Sequence, residues 1–279
     1  MTIRIVTDST CDVPPDVAEK MNITIVPVYI NIGDRSYLDG VDLSRRDFFV
    51  NLPNYDTFPT TAAPASGAFT SVYQQLADEG ATEILSLHIA ANLSNTYNAA
   101  RLGAEDVQGA RVTLWDTKQI TLGSGLQVIV AAEAAAAGCS MAEILTLLQE
   151  KRAKTRIYAV LDTLEFLRRS GRVSWTQFGL GTLLRIKPVL EVYEGEVIMN
   201  DRVRTFKRAL LRLIELTGAK QPLERIAVLH ANNLSTAQRL QLQAAFLFPP
   251  EQEVIFMEIT PAIGSHIGPG AVGFAFISE

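Results

Sequence analysis

The chain has 279 residues, 48% of them hydrophobic and 20% charged, with a net charge of −5. That length can bury a sizeable core in one or two domains, and the charge balance argues against a nucleic-acid carrier, which needs a basic face. The two cysteines, Cys11 and Cys139, are too few for a disulfide framework and predict a reduced, cytoplasmic setting.

The first residues run straight into a strand-like stretch, so no signal peptide is expected. The longest apolar run, near Leu126 to Ala137, is interrupted by Gln127 and Glu133 and is too short to span a bilayer. Ile3 to Thr7 predicts a buried strand with Asp8-Ser9-Thr10 at its carboxyl end. Ligands of open α/β sheets gather at such ends, so Asp8 and Ser9 are either site residues or a capping turn ahead of Pro14-Pro15. Ile23 to Ile30 reads as one strand, which Pro27 places at an edge or a bulge. Gly33-Asp34 reads as a turn, and Ser44 with Asp47 resembles a capping box for a helix through Val50.

Pro59 to Phe69 carries no charge. Pro59 and Pro64 restrict φ and remove two donors, which makes a stiff, extended loop. Thr60 and Thr61 supply hydroxyls, and Ser66 is the expected N-cap of a helix from Gly67 to about Asp78. This is either an ordinary loop entering a helix or a preorganised wall suited to a weakly polar head group beside apolar matter. Glu83 to Ile89 predicts the next strand, with His88 as a core residue. Ser94 is placed as N-cap of a helix over Asn95 to Asp106. A hydroxyl beside free helix N–H groups either accepts a carboxylate or phosphate or merely caps. Arg111 to Trp115 is a fourth strand. Gly123-Ser124-Gly125 opens an alanine-rich helix; without a P-loop lysine or Gly-x-Gly-x-x-Gly spacing, the glycines signal close packing. Ser140-x-x-Glu143 is a capping box for a helix to about Lys154. Alternating strands and helices imply a mainly parallel sheet covered on both faces, with a boundary at Lys154 that divides the chain into α/β domains 1–154 and 155–279.

The second unit opens with a strand over Tyr158 to Leu161. A short helix over Asp162 to Arg169 follows, with Gly171 beyond it and Arg168, Arg169 and Arg172 around its end, where cations suit the macrodipole. Gly179-Leu180-Gly181 leads to a strand over Ile186 to Leu190, and Glu194-Gly195 marks a hairpin turn. Arg202, Arg204, Lys207 and Arg208 cluster before a helix ending near Gly218. Strands are expected at 226–230, 254–259 and 273–277, and a helix from Ser235 to Phe248. The segment Gly264 to Gly270, with three glycines and one proline, reads as a mobile loop holding a partly exposed His266. There is no zinc-site spacing, no Gly-x-Ser-x-Gly elbow, and no residue order that proposes a triad.

Seven motifs recur in a familiar order: Thr7-Asp8-Ser9-Thr10, Thr61-Ala62-Ala63-Pro64, the Leu93 to Tyr97 helix start, Asp116-Thr117-Lys118, Leu164 to Ser174, Ile186 to Leu190, and His266-Ile267-Gly268-Pro269-Gly270. Over essentially its whole length the chain resembles the DegV family, which includes the fatty-acid-binding subunits of bacterial fatty acid kinase. The resemblance implies two α/β domains with a long-chain fatty acid buried between them. It implies that Thr61 and Ser94 hold the carboxyl group with His266 nearby, and that Arg172 and Arg204 face the kinase subunit or the acyl phosphate. It implies a carrier with no catalytic residue, metal or cofactor, which lifts the acid from a membrane surface and presents it to a separate kinase. The chain departs from the family's usual pattern at Ala62, Ala63, Ala90, Ala91 and Asn95, leaving fewer polar groups around the head group. A carboxylate touching His266 is expected to raise its pKa, so that affinity falls as pH climbs through the bound-state value. Two other readings stay open: a ligand-sensing regulatory module, and a lipid-directed hydrolase or phosphotransferase using His266 and Asp8.

Overall fold

The computed structural model describes residues 2–173 and 186–279; Ser174 and the Gly179-Leu180-Gly181 segment lie outside the described residues. The chain opens with β1 (Ile3–Asp8), α1 (Pro15–Lys20) and β2 (Ile23–Val26), with β2 parallel to β1. The single strand expected over 23–30 is two. Proline has no N–H for a ladder, so pairing stops at Pro27 and the chain resumes as β3 (Tyr29–Ile32) in a different sheet. There β3 pairs antiparallel with β4 (Arg35–Leu38) and, beyond α2 (Arg45–Asn51), with β5 (Thr60–Ala62). The cap of α2 is the expected one, since the Asp47 N–H donates to Ser44 Oγ at 3.1 Å.

Next come α3 (Ser66–Asp78), β6 (Glu83–His88), α4 (Thr96–Gly103) and β7 (Arg111–Asp116). The order β2-β1-β6-β7 is parallel throughout. Both faces are covered, as a parallel sheet requires: Val6 and Ile84 pack on Phe69, Tyr73 and Ala100, while Ile5, Leu85 and Leu87 join the core around α5 (Thr121–Ala136). Two expected caps are corrected. Ser66 is the first helical residue, behind Ala65 at the cap position. Ser94 lies one residue before Asn95, the N-cap residue of α4. The glycines of α5 serve packing, because a Cβ on Gly125 would collide with the Cys11 carbonyl oxygen. Helix α6 (Met141–Lys154) has the complete Ser140/Glu143 capping box.

The rest of the chain is β8 (Thr155–Val160), α7 (Glu165–Ser170), β9 (Lys187–Tyr193), β10 (Glu196–Val203), α8 (Phe206–Gly218), β11 (Leu223–His230), α9 (Leu234–Gln243), β12 (Ile255–Glu258), α10 (Pro261–Ile267) and β13 (Val272–Ser278). The sheet order is β10-β9-β8-β13-β11-β12, and β11 runs parallel to β12 while the other pairings are antiparallel. Side chains alternate between faces. Tyr158, Val160, Phe274 and Phe276 join the core containing Ala209 and Leu213 of α8 and Leu240 of α9; Ile157, Ala275 and Ile277 join the core shared with α5 and the first sheet. The helix expected to reach Phe248 stops at Gln243 and continues as a single tight turn over Ala245–Leu247.

The largest correction concerns 264–270. Thr260 accepts from the Ile263 N–H at 3.4 Å and Pro261 takes the first helical position, a start signal that outweighs the glycine behind it. Gly264, Ser265 and His266 are therefore helical, and left-handed Gly268 follows the helix end. Among the described residues no helix is long and apolar enough to cross a membrane.

Candidate functional site

A cavity of about 300 Å³ takes its lining from the six-stranded sheet, from loops beyond the carboxyl ends of the parallel sheet, from β5 and from α10. Its walls are mainly aliphatic. Ile157, Ala159 and Leu161 line it at alternate positions, and Leu190 and Val192 do so from β9. Thr10 and Ile89 come from just beyond the carboxyl ends of β1 and β6, where an open α/β sheet presents its ligand-binding crevice. Helix α10 contributes Ala262, Ile263, His266 and Ile267, a spacing that puts four side chains along one helical face.

Four of the five site residues expected from the sequence line this one cavity: Thr61, Ser94, Arg172 and His266. Strand pairing sets Thr61 opposite Ile30, and Thr61 Oγ1 lies 2.8 Å from His266 Nε2. Ser94 Oγ lies 2.8 Å from Thr96 Oγ1 and accepts from the Thr96 N–H at 3.3 Å. Burial, with the Arg172 guanidinium nearby, pushes the His266 imidazole down to about 4, so it is neutral at neutral pH. A neutral ring with its proton on Nε2 donates to Thr61 and leaves the Thr61 hydroxyl proton free for a ligand. Thr96 can do the same for Ser94. With those protons so placed, each hydroxyl has a second donor behind it, an arrangement suited to an acceptor-only group such as a carboxylate.

Arg204 is elsewhere. It lies in a separate shallow hollow with Asp201, Arg208, Arg212 and Glu215. Arg172 and Arg204, grouped by the sequence, do not share a site. Arg172 is exposed, and its Nη1 donates to the Ser170 carbonyl at 2.8 Å.

Asp8 and Ser9 are internal braces. Asp8 Oδ2 lies 2.8 Å from His88 Nδ1, and Oδ1 accepts from the Thr10 N–H at 3.0 Å. His88 Nε2 lies 2.7 Å from Ser86 Oγ, which lies 2.7 Å from the Tyr73 hydroxyl. Ser86, His88 and Asp8 thus share the residue types of a hydrolytic triad. All three are buried and none lines the cavity, so this trio has no surface on which to meet a substrate. His88 is the core histidine the sequence implied. Ser9 donates to Asp39 at 2.7 Å and accepts from the Val28 N–H at 3.1 Å. His266 and Asp8 do not meet in one cavity, which removes the geometry behind the hydrolase reading. Among the described residues no cluster of three metal-ligating side chains occurs.

Sequence reasoning missed Thr121 and His230, both of which line the cavity. His230 ends β11, so the carboxyl-end rule applied to β1 would have found it.

A family model described as "Uncharacterised protein, DegV family" matches residues 2–279. The chain belongs to the DegV family. A DegV domain-containing protein of Deinococcus radiodurans is 38% identical over 99% of this chain and 98% of its own length. Among solved structures, a DegV family protein from Thermus thermophilus described by its fatty acid binding superposes with a TM-score of 0.91 at 35% identity, covering 100% of both chains. DegV of Bacillus subtilis, described as a fatty acid binding protein, gives a TM-score of 0.89 at 28% identity, again over 100% of both. Of the departures from the usual DegV pattern, Ala62, Ala63 and Asn95 line the cavity, whereas Ala90 is buried away from it and Ala91 is exposed.

Proposed function

We propose that this DegV protein binds a long-chain fatty acid, with the acyl chain in the aliphatic cavity and the carboxyl group at Thr61 and Ser94. The observation that carries this reading is one apolar cavity whose two head-group hydroxyls each lie 2.8 Å from a second group able to donate, His266 Nε2 behind Thr61 and the Thr96 hydroxyl behind Ser94. The fatty acid binding of the Thermus thermophilus and Bacillus subtilis relatives supports it. Burying a sixteen-carbon chain contributes about 12 kcal/mol gross at about 0.8 kcal/mol per CH₂, but a bilayer offers the chain much the same. Selective extraction from a membrane surface therefore rests on head-group contacts and a preformed cavity.

In this reading His266 positions the Thr61 hydroxyl and stays neutral, while the Arg172 charge favours an ionised carboxylate. Residues 1–154 supply the hydroxyls and residues 155–279 supply His266, Arg172 and the facing sheet. The protein performs no chemistry on the acid. It presents the carboxyl group to a separate kinase subunit for acyl-phosphate formation, with Arg204, outside the cavity, facing that partner. Equilibrium binding tests the head-group assignment: Thr61→Ala and Ser94→Ala are each expected to cost about 0.5–3 kcal/mol of fatty-acid affinity. A double variant binding as tightly as the parent would contradict it.

A further inference from the structure

The cavity has a second polar station. His230, only 6% exposed, lines it at the end of β11. Its Nδ1 accepts from the Asn233 N–H at 3.5 Å and lies 3.7 Å from Glu258 Oε1, and the Phe256 ring is 5.5 Å away. Burial, with the Arg45 guanidinium, lowers its pKa and keeps the ring neutral. In the tautomer whose Nδ1 accepts from Asn233, the proton is on Nε2. That donor has no hydrogen-bond partner among the described residues.

Two hydroxyls, Thr10 and Thr121, line the same cavity. Each donates to a buried carboxylate, Thr10 to Asp8 and Thr121 to Asp12, so what remains to them is acceptor capacity. Asp12 ties this region together. It accepts from Arg45 at 2.8 Å and from the Thr260 N–H at 3.0 Å. Arg45 in turn donates to the carbonyl of Glu258, the strand neighbour of His230. The frame links Thr121 to the strand pair that carries His230, beside the start of α10. His266 lies six residues along that helix from Thr260, about 9 Å at 1.5 Å per residue, with Ala262 and Ile263 lining the cavity between.

We propose that the cavity accepts an acyl chain bearing a hydroxyl group along its length, with His230 Nε2–H donating to the hydroxyl oxygen and a threonine oxygen accepting its proton. This rests on the fatty-acid reading above and adds the substrate class. An unsubstituted chain packed over His230 covers this donor without pairing it, whereas a hydroxylated chain pairs it. A site built around such a hydrogen bond discriminates against a ligand that lacks it.

Calorimetric titration with stearate and a series of hydroxystearates, the hydroxyl moved stepwise along the chain, tests this. In the parent protein one position is expected to bind about tenfold more tightly than its neighbours in the series, equivalent to about 1.4 kcal/mol. His230→Leu removes that positional preference, and His230→Gln, which keeps an N–H donor, restores part of it; thermal unfolding reports whether each variant folds. Stearate binding with a flat hydroxystearate series in the parent overturns the proposal and leaves the fatty-acid reading standing. A preference that survives His230→Leu overturns the role of His230. Failure of every acid to bind, stearate included, overturns both readings.

Discussion

At Thr61 the direction of one proton decides whether the hydroxyl can serve a carboxylate, and the tautomer of a neutral His266 sets that direction. The sequence suggested a histidine poised near neutrality. Burial, a property of the folded helix, moves its pKa to about 4 in the free protein. A bound carboxylate would favour the cation, so affinity can rise only as pH falls toward that value and is lost as pH climbs through the bound-state pKa. In the proposed site the ring stays neutral in the complex as well, and fatty-acid affinity is then expected to stay flat from pH 6 to 9 when titrated calorimetrically. A fall across that range would show His266 protonated in the complex.

Asp39 runs the other way. Burial and the Asp12 carboxylate push its pKa from 3.8 up to about 7. The folded state therefore holds a proton that the unfolded chain has released between those values, and stability falls as pH rises through the window. Asp39→Asn should stabilise the protein by about 1–3 kcal/mol above pH 7 and change little near pH 4. Urea unfolding at both pH values checks this, and equal effects at the two would contradict it.

Helix α10 places His266 and also ties down Asp12 at its other end. Its packing depends on Gly264, where a Cβ would meet the rings of Phe48 and Phe49 at 2.7–3.0 Å. Gly264→Ala should cost about 1–3 kcal/mol of stability through overpacking and weaken acid binding by shifting His266. Chemical denaturation and the same binding titration read both effects; an alanine variant of parental stability and affinity would mean that α10 has slack. This helix also marks where sequence reading reaches its limit. Gly264, Gly268, Pro269 and Gly270 dominated the local pattern, and Thr260-Pro261 was passed over although it carried the start signal. Elements with full-length periodicity or explicit caps were legible: β1, β6, β7, the α6 capping box and the Glu194-Gly195 hairpin. The sheet of β3, β4 and β5 was not, because strands of three or four residues show too little alternation. Motif order grouped Thr61, Ser94 and His266, and all three line the cavity. His230 and Thr121 were not legible, since their shared cavity exists only once distant segments are packed.

Across the whole molecule, the two large sheets share one core through α5, whose residues from Thr121 to Ala132 are buried. The cavity lies where the carboxyl end of the parallel sheet meets the alternating face of β8 and β9. A shared core lets residues distant in the chain contribute to one site, which matters when affinity must come from preorganisation. The central claim is that this site holds a fatty acid. Native mass spectrometry of the protein purified from a bacterial host without added lipid tests it most directly. The expected spectrum shows the protein carrying one additional mass, released on denaturation and matching a long-chain fatty acid, and depleted in the Thr61→Ala/Ser94→Ala double variant. A spectrum of bare protein that stays bare after incubation with stearate would contradict the account.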